Sequence, residues 1–516
     1  MKLAFAHNLN TNMSTKIRSA ALVGIEAAPV EVEADVSQGL PNFVIVGLPD
    51  TAVQEAKERV RTAFKNSGLE FPRTKVTVNL APADLKKQGP SYDLPIALAL
   101  LEAQGDVRAS GEQRLFLGEL ALDGTVRAVS GVLAATVMAK AMGCREVYVP
   151  AVNAAEAALV SGIDVFALRS LAEAVAVFRG QRRLEPAPPT VMSGLPEDVE
   201  TLIDFAHVAG QQQAKRALEI AAAGGHNVLM SGPPGTGKTM LAKALPSILP
   251  AMTEGEILDV TRIYSAAGLT CGGGLVATVR PFRSPHHTAS GIAMTGGGVH
   301  PRPGEVSLAH RGVLFLDEFP EFSRGCLENL RQPLEDGYVT VSRAVATIKY
   351  PAKFMLVAAK NPCPCGHYGN PEKACVCSPL AIDRYHKRLS GPLLDRLDIF
   401  IEVPRVSMTE VMKKTGGETS AEVRARVQAA RDRQLARFAG TRLVTNAEMS
   451  QAQVRRVCRL TGALEQYFLD MSERAKLTAR AAMRVLRVAR TIADLDGADE
   501  IYQDHLMEAL HFRDRS

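Results

Sequence analysis

The chain of 516 residues contains no apolar run approaching the ~18 residues of a membrane span, so no transmembrane helix is expected. It opens MKLAFAHNLN, with one lysine and an apolar stretch that stops almost at once. That is not a secretory signal, and the expectation is a cytoplasmic protein, with Met13 a second candidate for the first residue. Internal repeats and low-complexity tracts are absent, which leaves no case for a solenoid or fibrous architecture. Neither sign of charge dominates: the net charge is +5, which permits nucleic-acid binding but suits a mildly basic soluble enzyme equally well. Cysteines number eight, yet four crowd into Cys363, Cys365, Cys375 and Cys377. In a reducing compartment such clustering points to metal or redox chemistry rather than a disulfide frame.

What is present is ordinary globular composition, 46% apolar and 22% charged, on a chain long enough for two to four domains. Residues 17–180 alternate short apolar runs with helical patterns: strands at Val30–Val36, Asn42–Val46, Lys75–Asn79, Val147–Pro150 and Asp164–Leu168, and helices at Thr51–Ser67 and from Pro95 to Leu101. This predicts an α/β or α+β domain over 1–181. Residues 182–198 hold the proline-rich stretch RRLEPAPPTVMSGLP and read as a linker. A strand–loop–helix series then fills 199–405. Strand signals end at Val406, and 406–516 reads as helical, over Thr409–Ala439 and Ala447–Arg513.

The most specific motif is GPPGTGKT: Gly232, Pro233, Pro234, Gly235, Thr236, Gly237, Lys238 and Thr239. It follows the apolar strand His226–Ser231 and precedes helical Met240–Leu245, the context a P-loop requires. Glycines let backbone N–H groups converge on phosphates, and the helix N-terminus adds its positive end. Lys238 is expected to reach the β- and γ-phosphates of ATP and Thr239 to ligate Mg²⁺. The buried strand in Gly312–Glu318 ends in two acids, where open parallel sheets bind ligands. Asp317 is expected in the Mg²⁺ shell, and Glu318 as the group that polarises the attacking water. Asn361 ends another apolar strand and is placed to orient that water or contact the γ-phosphate; a turn or cap residue is the alternative. Arg396 lies on a helix-like segment, Ser390–Ile399, between acids.

The strings VAGQQQAKRALEIAAAGGHNVLMSGPPGTGKT, FRSPHHTAS, RPGEVSLAHRGVLFLDE, LRQPLEDGYVTVSRA, NPCPCG, SGPLLDRLDI and LTARAAMRVLRVARTIADL together resemble the magnesium-chelatase-like YifB/ComM family of AAA+ ATPases. The resemblance runs from about residue 17 to the end. It implies an AAA+ parallel-sheet module with a C-terminal helical lid, in a ring of six subunits. By the same resemblance Asn361 is sensor 1, Arg396 the arginine finger reaching a neighbour's ATP, and Arg480 sensor 2 in a lid over the nucleotide. Asp336–Ile348 reads as a β-hairpin, and the resemblance makes it a pore element, with Arg343 as a phosphate contact. Arg280–Ser290 resembles an insert in a helix that also faces the pore, where Arg283, His286 and His287 would touch DNA or couple to the nucleotide.

Gly89–Ala97 and Gly118–Leu133 resemble the Lon proteolytic domain, whose chemistry needs a serine and a lysine as adjacent base. Ser91 falls at the serine position, but Leu133 stands at that of the lysine, and Lys140 comes two turns later. A non-proteolytic Lon-type fold is therefore expected. The two C-x-C pairs formed by Cys363, Cys365, Cys375 and Cys377 suit a structural Zn²⁺ site, with a redox pair or free thiols as the other readings. The arginines beyond residue 420, Arg480 apart, read as a solvated or subunit-interface face.

The resemblance as a whole implies an ATP-dependent hexameric helicase that moves single-stranded and branched DNA during homologous recombination, integrating donor DNA in natural transformation, with recombination proteins as partners and no membrane. The rivals are a metal-chelatase motor subunit, disfavoured because such subunits are expected to lack the N-terminal domain, and a Lon-like protein remodeller.

Overall fold

A computed structural model of the chain describes residues 15–190, 203–269, 279–298, 301–342, 347–369, 373–407, 409, 417–441 and 443–513. The chain divides into two compact units, one comprising the residues up to Leu195 with Ile257–Val276, the other Pro196–Glu256 with Ala277–Ser516.

The first unit is built on a four-stranded sheet in the order Thr15–Val23, Glu26–Ser37, Lys75–Ala81, Asn42–Val46. The last pair is parallel and the others antiparallel. Lys75–Ala81 buries Val76, Val78 and Leu80, the strict alternation of a sheet with one covered face. Helix Thr51–Asn66 covers that face with Val53, Ala56, Val60, Ala63 and Phe64, and the Asp50 carboxylate caps its start by accepting from the Val53 N–H. Helix Asp93–Ala103 has no polar stripe and is buried from Asp93 to Leu101. A second, parallel sheet joins Arg114–Phe116, Glu146–Pro150 and Asp164–Leu168, across which Phe116, Tyr148 and Phe166 stack. The sequence pattern missed the strand Thr15–Val23, because its arginine, serine and paired alanines blur the alternation that marks a strand.

The second unit holds a five-stranded parallel sheet in the order Phe282–Arg283, Val313–Leu316, Met355–Lys360, Val228–Ser231, Ile399–Glu402. The three inner strands are apolar on both faces, as parallel strands covered by helices must be. Helix Gln212–Gly224 packs against the sheet and against helices Ser420–Arg437 and Ala479–Leu495. Val485, Leu486, Val488 and Ile492 are buried on Ala479–Leu495, each contributing roughly 1.5–3 kcal/mol. Between Val313–Leu316 and Met355–Lys360 the antiparallel hairpin Tyr338–Ser342 with Thr347–Pro351 is inserted.

Three expectations change here. Arg280–Ser290 is not an insert within a helix: Phe282–Arg283 forms the edge strand of the central sheet, because the backbone of Phe282 and Arg283 pairs with Val313 and Leu314. Ser390–Ile399 contains one helical turn, Gly391–Leu394, before the chain enters its strand. Of the helix expected over Thr409–Ala439, the described part is Ser420–Arg437, begun by a capping box between Thr419 and Glu422. Residues 410–416 lie outside the described residues.

An ion pair at the base of the second unit offers a stability test. Glu256 is 4% exposed and accepts from both terminal nitrogens of Arg280, at 3.1 and 2.9 Å, and from the Thr253 N–H at 3.0 Å. Burial pushes its carboxyl up, but the Arg280 charge and hydrogen bonds outweigh this and bring it down from 4.5 to about 2. A carboxyl depressed by folding stabilises above its unfolded value and loses that contribution as pH falls towards its folded one. Denaturant unfolding should show this contribution intact above pH 4.5 and shrinking towards pH 2. Glu256→Ala should cost roughly 3–5 kcal/mol at neutral pH, because it strands a buried guanidinium, and should flatten that part of the pH profile. An unchanged profile in the variant would assign the acid sensitivity to other groups.

Candidate nucleotide site and cysteine cluster

Residues Gly232–Thr239 leave the carboxyl end of the strand Val228–Ser231, and helix Lys238–Ala244 begins at once. Gly237 caps that helix at φ +91°, a left-handed conformation that favours glycine. Lys238 is 7% exposed, and its ammonium donates to the carbonyls of Gly232 at 2.6 Å and Pro233 at 2.8 Å and to Asn361 Oδ1 at 3.3 Å. Burial lowers its pKa, while the Asp317 carboxylate opposes the shift. Thr239 Oγ1 donates to Asp317 Oδ2 at 2.8 Å. Lys238, Thr239, Asp317 and Asn361, drawn from three adjacent strands, thus meet at one edge of the sheet.

Glu318 stands beside them, half-exposed and with φ +50°, a left-handed position for a residue with a side chain. Its N–H donates to Asp317 Oδ1 at 2.9 Å, and its carboxylate lies 3.1 Å from His287 Nδ1. The His287 ring packs on that of His286, with centroids 4.1 Å apart, and His286 Nδ1 lies 2.9 Å from the Thr288 hydroxyl. Arg283 is engaged elsewhere: its guanidinium holds the Glu305 carboxylate through two bonds of 2.7 Å. Arg343 lies outside the described residues.

Arg396 and Arg480 are not at this edge. Arg396 precedes the strand Ile399–Glu402, and its carbonyl accepts from the Asn227 side chain, at the amino end of the strand Val228–Ser231. Strands of four to six residues separate the two edges by about 13–20 Å. Arg480 is therefore not above its own P-loop, where the resemblance would put it. It shares a partner with Arg396: Glu335 accepts from Nη2 of both, at 3.5 Å for Arg480. The reason is the docking of helix Ala479–Leu495, whose Arg484 donates to the Arg396 carbonyl at 3.1 Å and to Asp398 at 2.5 Å. Burial pushes the Asp398 carboxyl up, but Arg484, His226 and Arg487 hold it well below the usual carboxylate range. The resulting cavity, about 550 Å³ and wholly within the second unit, is lined by eight arginine or lysine residues and four acids. Buried Nε atoms of Arg311, Arg396, Arg484 and Arg487 have no hydrogen-bond partner among the described residues. The sequence reading missed Glu335 and Arg484; the LEDG turn and the arginines three or four residues apart along this helix were the visible signals.

The four cysteines come together. Cys363, Cys365 and Cys375 have Sγ–Sγ separations of 3.4, 3.6 and 3.6 Å, and all four ligand atoms lie within 4.8 Å of one another. A tetrahedral zinc with bonds of about 2.3 Å needs thiolate separations of about 3.8 Å, so the set fits. The N–H groups of Tyr368 and Cys377 donate to Cys363 and Cys375 sulfurs, the support a thiolate cluster needs.

In the first unit, Leu133 is fully buried and Lys140 donates to the Ser161 carbonyl. Lys87, also buried, donates to the Pro82 carbonyl. Among the described residues no hydrogen bond joins Ser91 to a lysine.

Three family models of the magnesium chelatase subunit ChlI match the chain: "Magnesium chelatase, subunit ChlI" over residues 204–411, its C-terminal part over 417–513, and "Subunit ChlI of Mg-chelatase" over 32–153. A model of starter unit:ACP transacylases also matches residues 124–251, a span that crosses from one compact unit into the other and contains no G-x-S-x-G nucleophile elbow. Competence protein ComM of Haemophilus influenzae is 45% identical over 502 residues, 96% of this chain and 97% of its own length. YifB of Escherichia coli is 44% identical over 503 residues, 96% of each chain. The magnesium-chelatase 38 kDa subunit of Cereibacter sphaeroides is 27% identical over 228 residues, 40% of this chain and 61% of its own. On this breadth of similarity the chain belongs to the YifB/ComM family, with a magnesium-chelatase-type AAA+ ATPase module in its second unit.

Proposed function

We propose that the chain is one subunit of a hexameric, ATP-driven DNA motor that moves branched recombination intermediates. Residues 1–181 would form a non-proteolytic Lon-type domain, 182–198 a linker, 199–405 the ATPase core and 406–516 a helical lid. The observation that carries the ring is the division of the site: the P-loop and acids meet at one edge of the sheet, while Arg396 and Arg480 meet at the other. A subunit so built can bring its arginines to ATP only on a second copy.

Within one subunit, Lys238 would hold the β- and γ-phosphates, exchanging its carbonyl contacts for phosphate oxygens. Thr239 and Asp317 would hold Mg²⁺, which offsets charge on the phosphates. Glu318 would accept a proton from the attacking water, with His287 fixing its carboxylate, and Asn361 would orient the water. From the neighbour, Arg396 and Arg480 would stabilise charge on the transferred phosphoryl group.

DNA as the substrate is supported by the ComM relative, named a competence protein, and by the hairpin inserted beside the ATPase strands. Arg343, next to Ser342 in the sequence, is our candidate backbone contact, with Arg283 weakened in that role by its bond to Glu305. Such contacts read phosphate rather than sequence and are salt-sensitive. A chelatase motor is the second reading. The absence of an N-terminal domain from chelatases no longer weighs against it, because the first unit itself matches a ChlI model. What favours the DNA motor is that similarity to ComM covers 96% of the chain, whereas similarity to the chelatase subunit covers 40%. Peptidase chemistry of the Lon type is disfavoured by the buried Leu133.

Two outcomes are expected. Arg396→Ala and Arg480→Ala should each keep ATP binding, with Arg396→Ala losing about 10³-fold or more in turnover. Mixing either with Lys238→Ala subunits should restore part of the ATPase, since each supplies what the other lacks. Failure of every mixture to recover would argue against arginines acting across subunits. On a labelled branched DNA, the wild type should displace the branch with ATP while Lys238→Ala does not. An ATPase indifferent to DNA, with no displacement, would remove DNA as substrate and promote the chelatase reading.

A further inference from the structure

The cysteine cluster and the P-loop touch. Cys363 lies two residues beyond Asn361, whose Oδ1 accepts from the P-loop Lys238. The loop then turns back at Gly366, whose N–H donates to the Cys363 carbonyl at 3.0 Å. Gly366 has φ +79°, and a Cβ built there would lie 2.5 Å from Pro234 Cδ and 2.6 Å from Pro234 Cγ. The first C-x-C pair is therefore flanked by two contacts with the phosphate loop: Asn361 on Lys238, and the bare Cα of Gly366 on the Pro234 ring. Cys363 is buried at the root of the loop, while Cys365, Cys375 and Cys377 are part-exposed, so the outer thiols are open to exchange with solvent.

From this contact we infer that a zinc ion in the Cys363–Cys365–Cys375–Cys377 cluster braces the P-loop, so that metal occupancy sets nucleotide affinity. The inference rests on the reading of Gly232–Thr239 as the ATP site. Without the metal, the four sulfurs lose the common partner that ties Cys363 and Cys365 to Cys375 and Cys377, the Gly366 turn loosens from Pro234, and the loop that must present its N–H groups to phosphate loses one wall. With the metal, the turn is closed and the phosphate loop is pre-organised, which lowers the ordering cost of binding. Coupling between two sites is reciprocal: if zinc tightens nucleotide, nucleotide tightens zinc by the same factor.

The test uses the full-length, reduced protein and a non-hydrolysable ATP analogue with Mg²⁺. Zinc is removed with a chelator selective for zinc over Mg²⁺ and then restored. Metal analysis of the loaded protein should give about one zinc per subunit. Analogue affinity should fall on removal by a factor within the range of about 5–150 typical of coupled sites. It should return on reloading, and zinc affinity should rise by the same factor when the analogue is bound. Gly366→Ala should keep its zinc and yet bind the analogue more weakly, because the added methyl displaces Pro234. Absence of zinc binding, or analogue affinity equal in loaded and stripped protein, would overturn the inference. Lys238→Ala separates the two readings: should it bind the analogue as tightly as the wild type, the P-loop assignment itself falls, whereas loss of binding there with no zinc effect condemns the brace alone.

Discussion

A parallel sheet has two unlike edges, and the second unit depends on that asymmetry. Every strand of the five delivers its carboxyl end to the same side. Lys238, Thr239, Asp317 and Asn361 are neighbours for this reason, although up to 123 residues separate them in the chain. The same geometry sends the residues that precede each strand to the opposite side, which collects Asn227, Arg396 and Asp398. An antiparallel sheet would mix these groups. Here the chain direction sorts them into an edge that gathers the P-loop and its acids and an edge crowded with guanidinium groups.

The first edge was legible in the sequence because its chemistry is local. GPPGTGKT is contiguous, and the acids of Gly312–Glu318 follow an unmistakable apolar strand. The cysteine cluster was legible too, since two C-x-C pairs a few residues apart can hardly avoid meeting. The second edge was not. Arg480 sits on an amphipathic helix whose docking is decided by packing on Gln212–Gly224 and Ser420–Arg437, more than 40 residues away. Arg283 likewise looked free, because nothing in the run RPFRSP announces that Glu305 will lie within 2.7 Å of it. Strand Phe282–Arg283 is only two residues long and owes its existence to the backbone groups of Val313 and Leu314, a tertiary cause with no pattern of its own.

His287 shows how an edge strand can serve the centre of the sheet. It emerges beyond Phe282–Arg283, next to the strand that ends in Asp317 and Glu318, and so its ring meets the Glu318 carboxylate. Among the described residues His287 is the one charged partner of the Glu318 carboxylate, whose backbone is left-handed and whose side chain is half-exposed. A carboxylate with one firm contact can change direction when that contact changes, without disturbing the Asp317–Thr239 bond beneath it.

The shared carboxylate of Glu335 has a consequence for how variants at the arginine edge can be interpreted. Arg396 and Arg480 are both counter-ions of one acid, so deleting either leaves the other holding it alone. Their effects are then not independent, and the loss measured for one depends on whether the other is present. The free-energy cost of the pair is a joint quantity: only a thermodynamic cycle including Glu335 would apportion it between the two side chains.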